Sequence, residues 1–177
     1  MSLYEFEGKR PQIDASAFAH PESILIGGVT IGKGCYIGPG AVLRADWGNI
    51  IVGEGSNVQE NCVIHAAPDK IAELGPASHI GHGAIVHGAK LGHHVTVGMR
   101  AILDEEVVVG DGSIIGAACF VPRRTVYGAY KIIVGVPAKI VGEVTKEKEE
   151  YTWWATETYQ DLPPRCHEGL RRIDEKN

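Results

Sequence analysis

No stretch of this chain approaches the roughly 20 consecutive apolar residues that cross a bilayer as a helix. The opening MSLYEFEGKRPQ also lacks the apolar centre of a secretory leader. The expectation is a cytoplasmic protein with no membrane partner. Basic clusters are missing too: 17 Lys and Arg against 22 Asp and Glu leave a net charge of −5, which argues against nucleic acid and against an anionic lipid surface. Cysteine is sparse, with Cys35, Cys62, Cys119 and Cys166 widely scattered and no Cys-x-x-Cys pair of the kind that builds a metal ribbon or redox motif. They read as reduced thiols. A length of 177 residues suits one domain with a terminal appendage and leaves no room for a second full domain.

What the chain has in quantity is a rhythm. A branched or long aliphatic residue recurs at every sixth position: Leu25, Ile31, Ile37, Leu43; then Val52, Val58, Ile64; then Ile80, Val86; then Leu91, Val97, Leu103, Val109, Ile115, Val121, followed by Tyr127 and Ile133. Glycine often comes next, and the residue four after the aliphatic is usually small, as with Cys35, Ala41, Ser56, Cys62, Ala84, Ala101, Ser113 and Cys119. A period of six fits neither an amphipathic helix nor an alternating strand. It is the pattern of an all-β, left-handed parallel β-helix, in which three six-residue rungs close one triangular coil. Three of the four cysteines then face inward at corners.

The pattern divides the chain into an irregular lead-in over 1–24, a β-helix over 25–142 and a C-terminal helix and tail over 143–177. Within the last segment, Glu143 to Gln160 reads as a helix anchored by Trp153, Trp154 and Tyr159, ended by Pro163-Pro164.

If three rungs make a coil, Leu25, Leu43, Ile64, Val86, Leu103 and Val121 stack on one face, and Ile37, Val58, Ile80, Val97 and Ile115 on another. The residue after each aliphatic of the first row is Ile26, Arg44, His65, His87, Asp104 and Pro122. His65 and His87 therefore become neighbours on consecutive coils, about 4.8 Å apart at the backbone, close enough to share a metal ion, with Arg44 one coil away. His82 falls in the preceding rung and cannot easily reach the same ion within its own chain. Prisms of this kind pack as closed symmetric oligomers, and a threefold axis would bring His82 of one subunit to the His65/His87 pair of the next. His20, His79, His93, His94 and His167 read as turn residues.

Three histidines with an open fourth position form a catalytic zinc-type site, which lets a bound water ionise near neutral pH and attack an electrophilic carbon. Iron(II) or cobalt could serve in place of zinc, because imidazole suits all three.

The run Arg44-Ala-Asp46, then Ser56-Asn-Val-Gln59, His65, Gly81-His82 and His87 resembles the active-site signature of the γ-class carbonic anhydrase-like family, over roughly residues 10 to 142. The resemblance implies a homotrimer with metal held by His65, His82 and His87 across subunit contacts. It also implies an Arg44–Asp46 ion pair at the contact, and Asn57 and Gln59 as groups orienting water or substrate. Tyr130 stands where some members carry an active-site tyrosine. The tail, Glu157-Thr-x-Tyr159-Gln160-Asp161-Leu162 and Arg165-Cys166-His167, is similar to that of the PaaY/CaiE subgroup, whose PaaY-type members are acyl-CoA thioesterases. One departure bears on function. Well-known γ anhydrases carry proton-moving glutamates, whereas here Trp47 follows Asp46 and the loop after His65 offers only Asp69 and Glu73.

The foremost expectation is a metal-dependent hydrolase whose metal-bound hydroxide attacks the carbonyl carbon of an acyl-CoA thioester. The alternative is reversible hydration of CO2 to bicarbonate at the same site. A CoA-dependent hexapeptide acyltransferase with a lone catalytic histidine, and a non-enzymatic scaffold, remain as further readings.

Overall fold

The computed structural model describes residues 1–174. The period of six becomes a triangular parallel β-helix with three faces. The first face carries the start of strand Ile24–Ile31, the start of Val42–Val52, then Val63–His65, Ile85–His87, Ile102–Leu103 and Phe120–Val121. The second face carries the far halves of the two long strands and then Ile71–Leu74, Lys90–Leu91, Val108–Val109 and Val126–Tyr127. Because those two strands run across the corner, the first and second faces join into one sheet. The third face is a separate sheet, from Phe18–Ala19 through Tyr36–Ile37, Asn57–Val58, His79–Ile80, Thr96–Val97 and Ile114–Ile115 to Lys131–Gly135.

The registers match the rows expected from the repeat. Leu25, Leu43, Ile64, Val86, Leu103 and Val121 pair in sequence on the first face. Ile37, Val58, Ile80, Val97 and Ile115 do so on the third. Most of these side chains are fully buried along the prism axis, where they exclude water from the centre of every coil. The small corner residues are buried with them, among them Cys35, Cys62 and Ala84. Burial pushes the Cys35 and Cys62 thiols up to about 11, which keeps them protonated and inert. Gly98 shows why glycine follows the aliphatic: a Cβ there would stand 2.5 Å from the Ala117 amide nitrogen of the next rung.

Three expectations need correction. The lead-in over 1–24 is already coiled, since Ser2–Tyr4, Gln12–Ile13 and Phe18–Ala19 pair in parallel with the next coil. Its strands are too short and too polar outside the core to show the repeat. At the far end the parallel ladder ends with Lys131–Gly135, short of 142. The chain reverses, and Ala138–Glu143 returns antiparallel to Lys131–Gly135. Finally, Pro163 and Pro164 do not only end the first helix, α1 (Lys146–Gln160). They open a second, α2 (Leu162–Gly169), in whose first turn their missing N–H groups cost nothing.

α1 starts where the Thr145 hydroxyl accepts a hydrogen bond from the Lys148 amide. It lies on the third face, and α2 follows onto the Phe18–Ala19 strand. Tyr159 packs against Tyr36 and His79, and Trp153 stacks on His94 with ring centroids 3.8 Å apart. The Gln160 amide donates to the Gly55 carbonyl. Trp154, expected as an anchor, is 60% exposed and makes its ring contact with Tyr151 of the same helix. Among the described residues, the helices pack against the third face and not against the first face. Its outward row Val63, Ile85 and Ile102 is a ladder of exposed apolar side chains in register. No described helix is long and apolar enough to cross a membrane.

Candidate functional site

The first half of the site stands on the first face. Arg44, His65 and His87 occupy paired positions on three successive coils. The rings of His65 and His87 stack with centroids 5.1 Å apart and planes 24° from parallel. Two residues along the strand from Arg44, Asp46 reaches the same place, because alternate residues share a face. It pairs with the Arg44 guanidinium, and its Oδ1 lies 3.1 Å from His65 Nε2. Burial pushes the Asp46 carboxyl up, but hydrogen bonds from Arg44 and His65 outweigh it and hold the group below its ordinary value. Burial is also the main reason the His65 pKa is lowered, against the opposing pull of Asp46. A neutral imidazole is the form that binds metal.

The second half lies around the preceding corner. Gln59 is 2% exposed, and its Oε1 accepts the His82 backbone N–H at 3.2 Å. Its amide nitrogen donates to Asn57 Oδ1 at 2.9 Å and lies 2.8 Å from His79 Nε2. Asn57 Nδ2 is in turn 3.2 Å from His79 Nδ1. His82 itself is exposed, and its Nδ1 is engaged by the Glu60 carboxylate, which also takes the Tyr36 hydroxyl. With Nδ1 occupied, Nε2 of His82 is the nitrogen left to face outward, the usual arrangement around a ligating histidine.

The structure thus gathers Arg44, Asp46, His65 and His87 in one group and Asn57, Gln59 and His82 in another. Among the described residues no three potential ligands converge within one chain. The donor set nevertheless fits a divalent ion: two stacked imidazoles, one of them held in its neutral form, and a third with a free nitrogen. Tyr130 joins neither group. It sits in a left-handed turn between the second and third faces, packed beside Gly112, because it belongs to a different corner of the prism.

Three residues of the second group were not legible as site residues. His79, expected as a turn residue, lies in a strand, half-buried between Asn57, Gln59 and Tyr159, and burial pushes its pKa down to about 4. Tyr159 closes over it from α1. Glu60 could have been found from its position beside Gln59, one coil from His82.

A hexapeptide β-helix that sets two histidines in one row beside an Arg–Asp pair defines the γ-carbonic anhydrase-like class of hexapeptide-repeat proteins. Comparison with known proteins agrees. The family model for the bacterial transferase hexapeptide (six repeats) matches residues 10–45. The carnitine operon protein CaiE of Escherichia coli strain K12 is 41% identical over 170 residues, 96% of this chain and 87% of that protein. CaiE of a Proteus strain is 40% identical over the same length. The chain belongs to the CaiE family. Two solved structures share the whole fold. A hexapeptide transferase family protein from Anaplasma phagocytophilum has a TM-score of 0.89 at 33% identity. A Bacillus cereus protein provisionally described as an acetyltransferase has 0.93 at 26%. Each comparison covers 96% of this chain and 98% of the other.

Proposed function

We propose that this chain is a metal-dependent acyl-CoA thioesterase that works as a homotrimer, with zinc, or iron(II) or cobalt in its place, held by His65 and His87 of one subunit and His82 of the next. The observation that carries the reading is the stacked His65/His87 pair beside Arg44 and Asp46, on a face that neither described helix packs against. The apolar ladder Val63, Ile85, Ile102 supports association through that face, since water-exposed rows of this kind mark contact surfaces. When bound, a divalent ion there supplies a Lewis acid that makes water nucleophilic near neutral pH.

The chain's own residues then have defined tasks. Asp46 and Arg44 fix the orientation of His65. Glu60 orients His82. Gln59 has its oxygen tied to the His82 amide, and its nitrogen lies between Asn57 and His79, so it is a rigid polar wall beside the third ligand. In the reaction, water oxygen adds to the thioester carbonyl carbon, the C–S bond breaks, and the CoA thiol departs with a proton. Trp47 in place of a carboxylate beside Asp46 weighs against rapid proton export, and so against CO2 hydration as the main task.

A second reading, CoA-dependent acyl transfer, draws on the two transferase-named structural relatives. One experiment separates the readings. Protein reloaded anaerobically with zinc or iron(II) is assayed against a panel of acyl-CoA thioesters and by stopped-flow CO2 hydration, beside His65→Ala. Thioester turnover that needs both metal and His65 is expected. No turnover of any thioester by metal-replete protein would remove the proposal, and turnover only with an acceptor amine or alcohol, without metal, would favour acyl transfer.

A further inference from the structure

α1 crosses the third face near the His82 corner and leaves a gap beside the Tyr159–His79 contact. Successive rungs there present Gly81, Gly98 and Ala117, and the helix presents Ala155. Small residues on both sides leave a cleft of about 340 Å³. Its walls are mostly apolar, with Met99, Trp154 and Ala117, and they also carry Thr96 and Thr158. One end is different. There the cleft meets His82, Gln59 and His79, the second half of the candidate site.

We infer that this cleft is the acyl subsite, and that Ala155 and Ala117 set the length of acyl group accepted. The inference rests on the thioesterase reading for its choice of ligand. A carbonyl held at the His82 end would extend its apolar tail between helix and prism, where burial from water is favourable. A charged acyl tail finds no Lys, Arg, Asp or Glu among the lining residues, and desolvating it there is costly. The volume sets the size. A cavity of about 150 Å³ accommodates benzene, so this one suits a chain on the order of eight carbons or a single ring with a short spacer. A long fatty chain would project into water.

The test uses thioether analogues, which bind like the substrate but have no carbonyl to attack. Octyl-CoA thioether and ethyl-CoA thioether are titrated into the zinc-loaded full chain by calorimetry. The octyl analogue is expected to bind at least tenfold more tightly. Ala155→Phe should remove that preference while leaving the ethyl analogue within twofold of its original affinity. Ala117→Leu, at an exposed position that cannot disturb the core, should shift it in the same direction and covers the case in which the first variant misfolds. Equal binding of the two analogues, or an octyl preference unmoved by both substitutions, would overturn the subsite. Turnover separates the two ideas. Binding that follows the cleft in a protein that hydrolyses no thioester would keep the subsite and remove the thioesterase reading. Hydrolysis whose chain-length preference ignores both variants would do the reverse.

Discussion

His65 and His87 stand in register on adjacent coils, with ring centroids 5.1 Å apart. Neighbouring strands of a sheet are about 4.8 Å apart, so the ring spacing is the strand spacing carried outward. The two rings are prearranged by the backbone, at the expense of no loop ordering. His82 has no such support from a neighbouring ring in its own row.

If the first face is the subunit contact, a charge in its apolar ladder should separate subunits without unfolding them. Ile85 is 38% exposed, between Val63 and Ile102. Ile85→Lys is expected to convert the trimer to a folded monomer by light scattering. Far-UV circular dichroism should be unchanged, and bound zinc should fall to less than a tenth per chain. A trimer that retains its metal would show that this face is not the contact.

Glu60 engages Nδ1 of His82. Loss of such a partner typically weakens metal affinity 10–100-fold. Glu60→Gln is therefore expected to raise the zinc dissociation constant by about tenfold or more in competition with a chromophoric chelator, with melting of the metal-free protein unchanged. An unaltered zinc affinity would mean that the Glu60 contact does not orient the ligand.

His79 gives the fold an acid sensitivity. Its ordinary value is 6.5, and burial, helped by the nearby His82 and His94, pushes it down to about 4. Between those values the unfolded chain holds a proton that the folded chain refuses. Stability contributed this way is present in full above pH 6.5 and is lost as pH falls toward 4, by up to about 3 kcal/mol. Thermal melts in EDTA from pH 7.5 to 4.5 should show this decline, and His79→Phe should flatten it. An equal decline in the variant would assign it to other groups.

The fold was readable because one aliphatic per six residues is a long-range regularity that local noise cannot erase. It placed Leu25 to Val121 and Ile37 to Ile115 in their rows. Leu74 escaped because the loop after His65 breaks the count, and the first coil escaped because its strands are short and its rungs irregular. The site was readable to the extent that it follows from register, as with Arg44, His65 and His87. His79 and Tyr159 meet only because α1 folds back across the third face, a contact some 80 positions distant that no repeat encodes. Tyr130 was placed by likeness alone, and the corner geometry separates it from the rest.

Whether one metal site draws on two subunits is tested most directly by mixing inactive chains. His82→Ala keeps the stacked pair, and His65→Ala keeps the corner ligand, so each homotrimer should bind no stoichiometric zinc. Refolded together in equal amounts, random trimers of either mixed composition contain one intact shared site of three, or about a quarter of all sites in the population. Zinc content and thioester turnover should both recover to about that fraction of wild type. No recovery from trimers shown to be mixed would contradict a site shared between subunits.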